Sequence, residues 1–273
     1  MTLNGDGIND LVLDIGMQLS PLPQSLLLSL NGPDGSRIWS HDEYLAATLA
    51  YSVEDCIGDN VTDLVAHTFA PYSNGSISTR ICTLDGRNGT RASVRTFPDS
   101  LALEYPAGNL TDDGREDRLR MVYSALGHFW PFQDPSRPQI VEGPAANSSI
   151  TALDPHSRRE LWTLRASSLL LALPVIDLTA DGLNDVLIYR LNQTDGGLEL
   201  ALLEGFSGPE ARSRSYSTLA LPGPDLTGDG APDLLVYRPG EEADQATEPI
   251  QALSGRDGRL LWQSRGPVLY SPW

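Results

Sequence analysis

Short apolar runs separated by turn-forming residues set the plan of the chain. Leu11-Val-Leu13, Leu169 to Ile176, Leu219 to Pro222 and Leu234-Leu-Val-Tyr237 read as buried strands and not as helices. Two of these runs flank a polar stretch, Asp225-Leu-Thr-Gly-Asp-Gly-Ala-Pro-Asp233. A strand–turn–strand segment, Ala252-Leu-Ser-Gly-Arg-Asp-Gly-Arg-Leu-Leu-Trp262, follows it, its Asp-Gly pair supplying the turn. The pattern predicts a unit of four strands: one into the polar loop, one out of it, and a hairpin.

The polar loop carries the chemistry. Its positions 1, 3, 5 and 9 are Asp225, Thr227, Asp229 and Asp233. Alternate residues of a tight loop point inward, so hard oxygens converge as Ca²⁺ requires. Gly230 at position 6 allows the positive φ of such a turn. An EF-hand would need Glu at position 12, where Val236 stands, so the loop joins strands. Four further copies follow the same frame. Loop one offers Thr2, Asn4, Asp6 and Asp10. Loop two offers Asp55, Asp59 and Asp63, with Ile57 at position 3 and Asn60 in place of the glycine. Loop three offers Asn109, Thr111, Asp113 and Asp117, and loop four offers Asp177, Thr179, Asp181 and Asp185. Up to five Ca²⁺ sites are expected, loops four and five being the strongest with three carboxylates and a Thr each. Loops one and three have two ligand carboxylates each. They either bind weakly or are turns whose Asp side chains cap backbone amides.

Loop starts at residues 2, 55, 109, 177 and 225 give a period near 50 residues, the mark of a propeller or similar array. The hairpin frame recurs at Ser29–Trp39, Thr83–Ser93, Ala152–Trp162 and Leu202–Arg212; Arg158 replaces the turn glycine in the third of these. The Trp residues are expected to pack between neighbouring units. The D-x-T-G-D-G-x-x-D units, each followed by apolar residues, resemble FG-GAP repeats of the FG-GAP/VCBS type, the blades of integrin-α-like propellers. The hairpins are similar to the tryptophan-docking motif of quinoprotein propellers. Together these resemblances span nearly the whole chain.

The resemblance implies an all-β fold, a β-propeller of four-stranded blades, with calcium, an extracellular or cell-surface setting and an adhesive role toward a protein or glycan. One domain, 1–273, is expected, with repeats at about 1–44, 45–99, 100–166, 167–216 and 217–266. The segment 267–273 either closes the ring as the first strand of the N-terminal blade or marks a window onto a longer array.

Composition narrows the function. Net charge is −17, and the 19 basic residues are all Arg, which argues against Schiff-base chemistry and nucleic-acid binding. Thirteen of the 36 acidic residues occupy loop positions 1, 5 or 9. The four His residues fall in no metal or catalytic spacing, so no enzyme is expected; the alternative is a propeller enzyme, quinoprotein-like or polysaccharide-active. Cys56 and Cys82 could bridge loop two to its own sheet unless strand spacing holds them apart. The sequons Asn60, Asn74, Asn88, Asn109, Asn147 and Asn192 fit a glycosylated surface protein. No apolar run reaches membrane-spanning length and Met1 opens no signal peptide. The sequence therefore reads as a mature fragment or an excerpt of a longer protein. Chain parity puts the long insertion of repeat three on the face opposite the metal loops. Its Phe129, Trp130 and Phe132 are either the partner-binding residues there or packing for the insertion.

Overall fold

The computed structural model describes residues 2–19, 22–44, 47–71, 77–124, 147–175, 177–191, 198–203, 219–237 and 247–267. Every regular element among them is a β-strand. The first sheet joins β1 (Leu11–Leu19), β2 (Leu22–Leu30) and β3 (Arg37–Tyr44) in that order. The second group comprises β4 (Ala47–Val53), β5 (Asp63–Pro71), β6 (Ile77–Leu84) and β7 (Arg91–Phe97). The third comprises β8 (Ser100–Gly108), β9 (Asp117–Ser124), β10 (Asn147–Asp154) and β11 (Arg159–Ala166). Within each of these two groups the strands pair in chain order, and a single parallel pair, Ser78 with Ser100, links them. Then come β12 (Leu170–Val175), β13 (Asp185–Leu191) and β14 (Leu198–Leu203), again in chain order. The last sheet holds β15 (Leu219–Pro222), β16 (Leu234–Tyr237), β17 (Thr247–Leu253) and β18 (Leu260–Pro267).

The strand plan follows the pattern of the sequence. The run after Asp233 is a strand, as its apolar length requires, and the hairpins fall in the predicted frames. Arg158, standing in for the turn glycine, takes φ 58°, so this turn accepts the cost of a left-handed L-residue. The hairpin of repeat four, after Leu203, lies outside the described residues. So do Phe129, Trp130 and Phe132 and the closing segment beyond Pro267.

Contacts divide the chain into two compact units. One takes Met1–Tyr105, Arg120–Ser149 and Pro155–Arg158; the other takes Pro106–Leu119, Ile150–Asp154 and Arg159–Trp273. In the first, Leu3, Leu27, Trp39, Leu64, Ala66, Cys82 and Leu84 form one core cluster. Trp39 is buried, and its Nε1 donates to the Gly86 carbonyl at 2.7 Å. A Cβ on Gly89 would meet its ring at 2.7 Å. Trp39 of repeat one therefore docks on the hairpin turn of repeat two, as expected. Trp162 is also buried, whereas Trp262 is 42% exposed.

The first unit also holds a buried ion pair. Arg120 Nε donates to Glu104 Oε2 at 2.9 Å, and the same guanidinium stands 5.6 Å from the Phe97 ring centroid. The Glu104 N–H donates to His67 Nε2 at 2.8 Å, and Tyr51 Oη donates to the Glu104 carbonyl. In the second unit Leu178, Leu187, Tyr189, Leu234, Val236 and Leu253 make the core.

Candidate metal centre

Loops two to five connect the first and second strands of their repeats and loop one leads into β1, and one hydrogen-bond scheme recurs in all five. Position 5 accepts the N–H of position 7 through its Oδ1. The pairs are Asp6 with Ile8 at 2.8 Å, Asp59 with Val61 at 3.0 Å, Asp113 with Arg115 at 2.8 Å, Asp181 with Leu183 at 2.9 Å and Asp229 with Ala231 at 3.0 Å. An acid at position 1 caps the amides of the turn. Asp225 Oδ1 accepts from Gly228 at 2.6 Å and its Oδ2 from Gly230 at 2.9 Å. The N–H of Gly230, reinforced by those of Gly228 and Asp229 and the Thr227 side chain, overcomes the small effect of burial and holds the Asp225 carboxyl below its ordinary range. Burial opposes the same effect at Asp55, but the N–H groups of Gly58, Asn60 and Asp59 prevail. Asp177 accepts likewise from Asp181 and Gly182.

Positions 4 and 6 both lie in the left-handed region in every loop. Position 6 is Gly7, Asn60, Gly114, Gly182 and Gly230, as its residue types suggest. Position 4 is Gly5, Gly58, Asp112, Ala180 and Gly228, with φ from 59° at Ala180 to 93° at Gly58. The sequence signal for position 4 was present in the three glycines.

Position 9 is placed differently from positions 1 and 5. Asp10, Asp63, Asp117, Asp185 and Asp233 are all buried beneath their loops. One oxygen accepts the N–H of position 2: Leu3, Cys56, Leu110, Leu178 and Leu226, at 2.6–2.9 Å. The other reaches across the repeat to a glycine N–H in the hairpin turn. Gly32 donates to Asp10 at 2.9 Å, Gly86 to Asp63 at 3.2 Å and Gly255 to Asp233 at 3.1 Å. These glycines press on the loop: a Cβ would lie 1.9, 1.8 and 2.0 Å from the carbonyl oxygens of Asn9, Thr62 and Pro232. In these three repeats the Asp at position 9 thus fastens its loop to the hairpin of its own repeat. In repeat three Pro155 stands at the glycine position, with no N–H to give. Asp117 Oδ1 is buried without a hydrogen-bond partner among the described residues. Burial, joined by the charges of Asp113 and Asp154, raises its carboxyl above the ordinary value against the hydrogen bonds of Leu110 and Thr111.

Position 2 is a plug in three of the loops, while Leu226 of loop five is 44% exposed. Leu3, Leu110 and Leu178 are fully buried, a role that their alternation with the polar positions could have revealed. Adjacent loops also touch: the Asn184 N–H of loop four donates to the Asn109 carbonyl at 2.8 Å, and the Asn109 N–H donates back to Asn184 Oδ1 at 3.1 Å.

The loops differ in their fit to a hard cation. In loop four, Thr179 Oγ1 is a buried oxygen without a hydrogen-bond partner among the described residues, and the hairpin turn that would face Asp185 Oδ1, at Gly205, lies outside them. Burial first, and then the charges of Asp181 and Asp177, push the Asp185 carboxyl up to about 6 despite the N–H groups of Leu178 and Thr179. A buried, unpartnered hydroxyl beside mutually repelling carboxylates suits Ca²⁺. Loop five keeps the same donor types, with Asp225, Thr227 and Asp229 exposed. Loop one offers Asn4, whose Oδ1 accepts from Asp6 N–H and whose Nδ2 donates to Asp6 Oδ2 and Asn31 Oδ1, beside Thr2. Loop three offers Asn109, Thr111 and Asp113, with Thr111 Oγ1 donating to Asp117 at 3.1 Å. Because position 9 turns under the loop, no three or more His, Cys, Asp or Glu side chains among the described residues converge in a metal-holding group. Cys56 and Cys82 are not joined in a disulfide: Cys56 Sγ donates to Asp63 Oδ2 at 3.2 Å, while Cys82 is packed in the core.

No protein-family model matches the chain, so the FG-GAP/VCBS resemblance stands without a family assignment. No curated protein matches it either. Solved structures do. A rhamnogalacturonan lyase, YesW, aligns over 97% of this chain and 50% of its own at 14% identity, with a TM-score of 0.52. A Bacillus licheniformis rhamnogalacturonan lyase aligns over the same shares at 12% identity and a TM-score of 0.54. At such identity the likeness establishes the all-β fold alone, and the chain spans about half the length of these lyases. The expectation that the chain is not an enzyme is contradicted by this finding, because both of these structures are of enzymes; the likeness carries no activity over to this chain. Among the described residues no helix is long and apolar enough to cross a membrane.

Proposed function

We propose that the chain is the propeller of a calcium-dependent, polysaccharide-active protein. The observation that carries this reading is the alignment of 97% of the chain on two rhamnogalacturonan lyases. The proposal includes five four-stranded blades, with the segment 267–273 completing the first, whose described sheet has three strands. Calcium belongs in loop four, at Asp177, Thr179 and Asp181 with Asp185, and in loop five, at Asp225, Thr227 and Asp229 with Asp233. Loops one and three are weaker sites. Bound there, the metal supplies fixed positive charge, and the chain's own amides hold the loops in shape to receive it. Millimolar extracellular calcium would fill such sites, in keeping with a secreted or surface protein.

The charge of −17 sets a condition on the substrate. A uronate polymer would be repelled unless divalent cations bridge it, whereas a neutral glycan would not. The aromatic insertion with Phe129, Trp130 and Phe132 is proposed as the sugar-stacking element.

The test is an assay of the full chain against neutral and uronate polysaccharides, in calcium and in chelator. It follows reducing-end release and the ultraviolet absorbance of eliminated uronides. Calcium-dependent cleavage supports the reading, and Trp130→Ala should weaken it while sparing the melt. A folded, calcium-loaded chain that cleaves none of the panel overturns it.

A further inference from the structure

Loop two departs from the other loops at two residues that meet around one carboxylate. Its position 3 is Ile57, 40% exposed and without an oxygen to offer. Arg87, in the hairpin turn of the same repeat, brings Nε to 3.4 Å from Asp59 Oδ2 and Nη2 to 3.4 Å from the Asp59 carbonyl. The remaining carboxylate oxygens accept backbone amides much as those of loop five do, so the difference lies at position 3 and at Asp59 Oδ2. Asp55 Oδ1 accepts from Gly58 and Asp59, and its Oδ2 from Asn60. Asp59 Oδ1 accepts from Val61, while Asp63 takes Cys56 and Ile57 on Oδ2 and Gly86 on Oδ1.

From this arrangement we infer that loop two takes no metal and that the Arg87 guanidinium is its resident cation. Calcium needs six to eight oxygens. Loop two has lost one at position 3, and the outward oxygen of Asp59 faces a fixed positive charge. The Arg87 side chain is 56% exposed, so the ion pair alone is weak; exclusion requires Ile57 as well. Repeat five supplies the contrast, since Arg256 holds the equivalent hairpin position while Thr227 keeps the oxygen that Ile57 lacks. The inference rests on reading the repeated loops as calcium loops, and it removes one of the five from that set.

Equilibrium dialysis of the full chain with radioactive calcium counts the ions bound. Asp59→Asn should leave the wild-type count unchanged. The double variant Ile57→Asp, Arg87→Gln should bind about one ion more per chain, and Arg87→Gln alone should add none. A count lowered by Asp59→Asn, or unchanged in the double variant, overturns the inference. Should Asp59→Asn fail to fold, the double variant decides alone. A wild-type chain that binds no calcium defeats the calcium reading of the other loops but not this one, which the double variant still tests.

Discussion

Asp63 and Asp233 each bind two separate stretches of backbone, the start of a loop and the turn of a hairpin. A buried carboxylate receiving N–H groups from both sides contributes more than an ordinary hydrogen bond, roughly 1.5–3 kcal/mol for each charged contact. Asp233→Asn should therefore cost about 2 kcal/mol of unfolding free energy, and chemical denaturation with calcium absent isolates that effect from metal loss. An unchanged midpoint would remove the fastening role. The acid at position 9 was legible in the sequence, but its orientation was not. A period of alternate oxygens suggests convergence on one point, and only the hairpin glycines show that this oxygen turns inward. Tyr105 and Tyr123 make a second residue-scale case. Burial pushes the Tyr123 phenol up to about 12, and burial with the neighbouring Tyr123 charge raises Tyr105 further. Between the ordinary value near 10 and these raised values the folded state keeps protons that the unfolded state has lost. Stability must therefore fall as pH rises through that window. A titration followed at the phenolate absorbance should show two of the nine tyrosines ionising only as the chain unfolds; early titration of all nine would contradict it.

At the scale of elements, the loop and hairpin of a repeat are one object. Gly86 lies against the Thr62 carbonyl so closely that a Cβ would stand 1.8 Å from it, whereas a Cβ on Gly58 meets nothing within 4 Å. Gly86→Ala should cost several kcal/mol or prevent folding. Gly58→Ala should cost about 1–2 kcal/mol, the price of a left-handed L-residue alone. Equal losses in thermal denaturation would mean that the hairpin can move away. Ala180 already carries that strain at φ 59°. Ala180→Gly should stabilise the chain by up to about 1 kcal/mol, read as a higher melting temperature. The strands were legible because short apolar runs alternate with turn residues at a constant period. The left-handed position 4 was less so, because Asp112 and Ala180 hide it in two of the five copies.

For the whole molecule, repetition makes the argument. Five loops share one hydrogen-bond scheme while their ligand sets differ, so the scaffold and the metal sites can be separated by experiment. The scaffold is built from amides and buried carboxylates that need no metal. The proposed sites add acids whose mutual repulsion a bound cation would relieve, most plainly in loop four. The repeat and its all-β fold were readable from spacing alone. The likeness to the lyase structures was not, because at 12–14% identity it lies in the fold and in no motif that one sequence displays. The most direct test of the calcium account is the thermal melt of the full chain in calcium and in excess chelator, repeated with Asp181→Ala. Calcium should raise the wild-type melting temperature by several degrees, and the substitution should remove part of that rise. Coincident wild-type melts in calcium and chelator would contradict the account.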